Sequence, residues 1–154
     1  MMLEQGAIVP AVTLKDVEGT SFTLDAYRGH PLVVYFYPKA DTPGCTNEAR
    51  DFTALADEFA DANVPVVGIS KDKPGKLAKF TEKYGLRVIL ASDEDGSVCG
   101  AFGTWVEKSL YGRKYMGIER ATFLVGADGT ILRVWPKVKV KGHAEEVLGA
   151  VKAL

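Results

Sequence analysis

The chain has 154 residues, 47% of them hydrophobic and 25% charged, which suits one compact soluble domain and argues against disorder or a disulfide-dense miniprotein. Nineteen Lys and Arg against twenty Asp and Glu leave a net charge of −1, so there is no basic field to gather nucleic acid or anionic lipid. Met1-Met2-Leu3-Glu4-Gln5 lacks the basic and apolar regions of a signal peptide, and the apolar run Leu32 to Tyr37 is far too short for a bilayer. A cytoplasmic location is therefore expected, with no membrane partner.

Short β-rich apolar runs alternate with helical patterns, the habit of an α/β fold with a sheet flanked by helices. Taken in order, strands are expected at Val12–Leu14 and Leu32–Tyr37, then a long helix over Pro43–Ala62, a strand at Val64–Ser70 and a helix over Pro74–Tyr84. A strand at Val88–Ala91 and a short helix over Glu94–Phe102 follow, then strands at Ala121–Gly126 and Thr130–Trp135 and a helix over Gly142–Ala153. Ala127-Asp128-Gly129 is a hairpin signal, so the sheet should be mixed. Gly103–Glu119 shows no sustained period and reads as a long loop, either functional or an aromatic-pinned piece of surface. No linker or repeat divides the chain, so residues 1–154 read as a single domain. The apolar stripe Val147, Leu148, Val151 of the last helix needs only the domain's own core, which favours a monomer.

Nucleotide signatures fail. Gly75-Lys76 lacks the upstream glycine at phosphate-loop spacing and is followed by Leu77 where a Ser or Thr is needed. A flavodoxin-like nucleotide binder finds no phosphate-cradling loop. Cys45 and Cys99 form no Cys-x-x-Cys pair, and with His30 and His143 they match no zinc spacing, so no metal and no cofactor is expected.

The informative stretch is Tyr35 to Phe52, YFYPKADTPGCTNEARDF. Thr42-Pro43 reads as an N-cap followed by a proline at the first helical position. Cys45 then falls in the first turn, where backbone N–H groups lack partners and the helix dipole favours an anion such as a thiolate. Cys45, Ala49, Phe52, Ala56 and Phe59 repeat at helical spacing and place the sulfur on the core-facing stripe. The plain alternative is a small buried hydrophobe at a helix start.

Pro38-x-x-x-Thr42-x-x-Cys45 resembles the signature of the peroxiredoxins, and YPKADTPGCTNEA is similar to their Q-type subgroup, also called bacterioferritin comigratory protein. The likeness continues through GISKD (Gly68–Asp72), LASDEDG (Leu90–Gly96) and IERATFLV (Ile118–Val125). The resemblance implies a thioredoxin-like fold with an N-terminal β-hairpin extension, and reduction of hydrogen peroxide and organic hydroperoxides without a cofactor. It further implies Cys45 as peroxidatic nucleophile, Thr42 as the hydroxyl that orients peroxide, Pro38 as a shield of the pocket and Arg120 as the cation beside the sulfur. Gly44 would lend its N–H to the substrate site, and Glu48 would join the hydrogen-bond network. Without the resemblance, Arg120 would read as a surface partner of Glu119 or an aspartate.

Attack on peroxide would leave Cys45 as sulfenic acid, which another thiol must resolve. Many Q-type members carry that thiol five residues after the nucleophile, where this chain has Arg50. Cys99 is then the internal candidate, with core filler as its alternative; the reductant would be thioredoxin or a similar dithiol. A disulfide requires Cα atoms within about 7 Å. Joining two helices in this way implies that the first turn at Pro43–Cys45, the Asp95–Gly103 helix, or both unwind after oxidation. Two other readings stay open: resolution by an external thiol, and a non-enzymatic redox-sensing or binding domain on the same scaffold.

Overall fold

The computed structural model describes residues 2–154. The strand Leu32–Phe36 (here β3, after β1 Thr13–Lys15 and β2 Ser21–Thr23) is buried along its whole length, as a run of Leu, Val, Tyr and Phe demands. It pairs in parallel with β4 (Val66–Ser70), which pairs in parallel with β5 (Ile89–Ser92). On its other side it runs antiparallel to β8 (Ala121–Val125), itself antiparallel to β9 (Ile131–Trp135) through the expected turn, where Gly129 takes φ 86°. The N-terminal hairpin β1–β2 joins the far edge on β5, completing a mixed seven-stranded sheet of order β2-β1-β5-β4-β3-β8-β9.

Alternation along β3 divides the core in two. Val33, Tyr35 and Tyr37 face one cluster, filled by α1 (Pro43–Ala54), α2 (Ala56–Asp61), α3 (Pro74–Tyr84) and α5 (His143–Lys152). Val34 and Phe36 face the other, filled by α4 (Ser97–Phe102), the N-terminal segment and the outer strands. Tyr35 lies so close to Gly68 that a Cβ there would sit 2.6 Å from the ring, which explains a glycine in the middle of β4.

Three expectations change. The segment Gly103–Glu119 is not an irregular loop: β6 (Trp105–Leu110) and β7 (Arg113–Ile118) form a separate two-stranded hairpin. Its turn uses Tyr111 at φ 51° and Gly112 at φ 78°, the two positive values of a tight hairpin turn. The helix expected over Pro43–Ala62 breaks at Leu55, whose ψ of 8° leaves the helical range, giving α1 and α2. The helix expected from Glu94 starts only at Ser97, after a left-handed Gly96.

Candidate active site

The site begins where β3 ends. Exposed Pro38 follows the strand, and the loop to α1 is clamped to its neighbours: the Ala40 N–H donates to the Asp72 carboxylate at 2.8 Å, and Asp41 accepts from Lys83 at 2.9 Å and from the Tyr84 hydroxyl at 2.6 Å. Asp41 takes φ 62°, an uncommon conformation for a residue with a side chain, and both of its partners lie on α3. Thr42 occupies the N-cap position of α1 with Pro43 at the helix start, as expected. Its hydroxyl caps nothing, however: it donates to the Lys39 carbonyl at 2.7 Å. The first-turn N–H groups of Gly44 and Cys45 therefore keep no side-chain cap and no intrahelical partner.

Cys45 is 2% exposed on the core-facing stripe with Ala49, Phe52 and Phe59; Ala56 lies only partly buried. Arg120 reaches it from 75 residues away because of sheet register. Ala121 is paired with Phe36, so the residue preceding β8 emerges beside the end of β3, over the start of α1. One guanidinium nitrogen, Nη2, lies 3.4 Å from Cys45 Sγ, and the other, Nη1, donates to Glu48 Oε1 at 2.7 Å. Gly44 makes room for this approach, since a Cβ there would stand 3.2 Å from Nη2. Arg120 thus pairs with Glu48, one turn along α1 from the sulfur, and not with the neighbouring Glu119 or an aspartate, as local sequence favoured.

Glu48 is buried, and its second oxygen, Oε2, has no hydrogen-bond partner among the described residues. Burial pushes its carboxyl up to about 7, against the opposing pull of Arg120. His143, buried on the same face with Nε2 2.7 Å from the Thr122 hydroxyl, moves the other way: burial holds it down to about 4, helped by Arg120 and opposed by Glu146.

These shifts give opposite stability slopes. The Glu48 contribution is complete below its ordinary value of 4.5 and is lost as pH rises through about 7. The His143 contribution is complete above 6.5 and is lost as pH falls through about 4. Between pH 4.5 and 6.5 the two offset each other. Glu48→Gln should therefore become less stable on acidification across this window relative to wild type, by up to about 1.4 kcal/mol per pH unit, and His143→Gln should become relatively more stable. Denaturant melts at each pH check this; identical pH slopes in all three proteins would exclude it.

The structure does not bring Cys99 to this site. It is 0% exposed in the cluster on the opposite face of β3, so the sheet stands between the two thiols, and both are free. Burial first, and the Asp93 carboxylate second, push the Cys99 thiol well above the usual cysteine range.

Comparison with known proteins bears on this arrangement. The AhpC/TSA family model matches residues 5–134. A putative peroxiredoxin Bcp of Coxiella burnetii is 47% identical over 97% of this chain and 99% of its own, and peroxiredoxin Bcp of Escherichia coli K12 is 46% identical over 97% and 96%. The chain belongs to the AhpC/TSA family, as a Q-type peroxiredoxin. Among solved structures, a Xanthomonas campestris bacterioferritin comigratory protein, studied for alkyl peroxide reduction, superposes with a TM-score of 0.89 at 43% identity, covering 99% of this chain and 97% of its own. A cysteine-to-serine variant of Xylella fastidiosa PrxQ reaches a TM-score of 0.92 at 38% identity, with coverage of 99% and 97%. This peroxiredoxin is accordingly a thiol-dependent peroxidase with a thioredoxin-like fold. Among its described residues, no helix is long and apolar enough to cross a membrane.

Sequence reasoning missed the residues that hold the site's loop. Asp41 and Asp72 act through contacts with backbone and with α3, and carry no periodic signal. Asp72 lies inside GISKD, so the family-like stretch marked its place without revealing its task.

Proposed function

We propose that Cys45 attacks hydrogen peroxide and alkyl hydroperoxides as a thiolate, and that an external thiol resolves the product while the fold stays intact. The observation that carries this reading is the Arg120 guanidinium, 3.4 Å from Cys45 Sγ over an uncapped helix start. The sulfur attacks the terminal, hydrogen-bearing oxygen; an S–O bond forms as the O–O bond breaks, leaving Cys45 as sulfenic acid and an alkoxide or hydroxide that takes up a proton. Complete ionisation of an ordinary thiol, with pKa about 8.5, gains only about thirty-fold at pH 7. Most of the acceleration must therefore come from donors fixed on the charge developing at the leaving oxygen. Arg120 and the N–H groups of Gly44 and Cys45 are those donors. Because the Thr42 hydrogen is engaged by Lys39, the Thr42 oxygen is left to accept the hydroperoxide O–H, which fixes the oxygen to be attacked. Pro38, exposed at the mouth, borders the entrance, and Glu48 holds Arg120 in place.

A dithiol of the thioredoxin kind then condenses with the sulfenic acid, releasing water and forming a mixed disulfide, and its second thiol frees Cys45. Cys99 gives a slower internal route, open only when α4 or the first turn of α1 unwinds. Such chemistry belongs in a reducing compartment, the cytoplasm. A monomer suffices, because Val147, Leu148 and Val151 are all spent on the chain's own core.

Steady-state peroxide consumption with thioredoxin as donor tests the external route. Cys99→Ser should retain at least half of the wild-type rate, with mass analysis placing the donor adduct on Cys45. A drop of more than tenfold in that variant would make internal resolution obligatory and overturn this assignment.

A further inference from the structure

Helix α4 has little strength of its own. It is six residues long, starts from a left-handed Gly96, carries Gly100 inside and stops at a left-handed Gly103. So short a helix does not persist without outside anchors. One side chain supplies the anchor at its start. Asp93, 1% exposed, accepts the Val98 N–H on Oδ1 at 3.0 Å and the Cys99 N–H on Oδ2 at 2.7 Å. Asp93 is itself fixed to the end of β4 by its N–H, which donates to the Ser70 carbonyl at 2.8 Å. On the far side, the Thr104 N–H and hydroxyl both donate to the Cys99 carbonyl, at 2.9 and 3.3 Å. The main chain of the second cysteine is thus held at both its donor and its acceptor, by groups outside the helix.

We propose that Asp93 is a positioning residue that keeps Cys99 out of the peroxide reaction, and that releasing its grip recruits Cys99 as an internal resolving thiol. This rests on Cys45 forming a sulfenic acid. Once α4 opens, the Cys99 sulfur attacks the Cys45 sulfur; the S–S bond forms, the S–O bond breaks, and the hydroxyl leaves as water with the Cys99 proton. The Asp93 carboxylate opposes this twice. It ties down the backbone that must move, and its negative charge beside the thiol favours the protonated, unreactive form.

Asp93→Asn tests the idea, since an amide oxygen accepts one N–H while the amide nitrogen faces the other without accepting it. Reduced protein receives one equivalent of hydrogen peroxide, and the two steps are followed by rapid quench and mass analysis. Sulfenic acid formation on Cys45 should stay within about twofold of wild type. The Cys45–Cys99 disulfide should form about tenfold faster or more, the scale of one lost hydrogen bond to a charged group, and the sulfinic acid that a second equivalent of peroxide forms on Cys45 should decline correspondingly. A purely structural Asp93 would lower the melting temperature and leave the ratio of the two rates unchanged, so an unchanged or slower disulfide step overturns the proposal. Gly100→Ala gives an independent arm that does not depend on Asp93→Asn folding. Gly100 is exposed, and a Cβ there meets nothing within 4 Å, so the alanine only strengthens α4. It should slow disulfide formation about two- to fivefold in wild type and in Asp93→Asn, and no slowing would also overturn the proposal. Failure of the underlying reading has its own signature: a cyclic diketone trap would find no sulfenic acid on wild-type Cys45.

Discussion

Cys45→Ser should lose peroxide turnover down to the uncatalysed background while keeping its fold. A hydroxyl at this position is nearly isosteric with the thiol, so packing against Ala49 and Phe52 survives. The chemistry does not, because an alcohol oxygen is a far weaker nucleophile toward a peroxide than sulfur and forms no sulfenic acid. Cys99 cannot take over: it is fully buried on the other face of the sheet, and its thiol is held in the protonated form. Stopped-flow mixing with hydrogen peroxide, followed by steady-state assay with a dithiol donor, measures the loss. Retention of a tenth or more of wild-type turnover would show that the nucleophile lies elsewhere.

The start of this site was legible in sequence because its signals are local. A Thr at the N-cap position, a helix-initiating Pro and a cysteine in the first turn fall within four consecutive positions, Thr42 to Cys45. Even here the local rule reached only as far as position. The Thr42 hydroxyl turns to the Lys39 carbonyl, a choice made by the loop geometry that Asp41 and Asp72 impose. The partnership of Arg120 with Glu48 is set by the pairing of Ala121 with Phe36, a long-range register that no window of sequence contains. Local reasoning offered Glu119, the acid nearest in the chain, or an aspartate instead. The resemblance to the peroxiredoxins, carried by IERATF, placed Arg120 beside the sulfur and Glu48 in the hydrogen-bond network, without pairing the two.

The β6–β7 hairpin escaped notice for a related physical reason. Alternation reveals a strand when one face is buried, yet most residues of this hairpin are exposed or only half-buried, from Trp105 to Tyr115. Its turn uses Tyr111 in the left-handed region ahead of Gly112, in place of the Asn or Asp that signals such a turn. The break at Leu55 was hidden in the opposite way. Phe52 and Phe59 pack into the same cluster on either side of it, so the apolar stripe continues across a helix that does not.

Arg120→Gln should slow the first step, formation of sulfenic acid, by about a hundred- to a thousandfold, the range found when one fixed donor to a developing oxyanion is removed. The same substitution leaves Glu48 buried without its cation, and an uncompensated buried charge costs several kcal/mol. Glu48 has an escape, because burial already lifts its carboxyl to about 7. With Arg120 gone, the opposing pull disappears and the carboxyl rises further, so at pH 6 the variant carries a neutral acid and loses little stability. As pH climbs above 7 the cost of either ionising or keeping the proton grows, and the deficit relative to wild type should widen. The double variant Arg120→Gln, Glu48→Gln has no charge to bury. It should recover stability at pH 8 to 9 while its peroxide reaction stays as slow as that of the single arginine variant. This split separates the two roles of the guanidinium, as counter-ion for Glu48 and as electrophilic partner of the reacting oxygens. Thermal melts across pH 6 to 9, paired with stopped-flow rates on the same samples, read both. Recovery of the peroxide rate in the double variant would mean that Arg120 serves only to neutralise Glu48, and a stability deficit independent of pH would mean that the ion pair is not what it relieves.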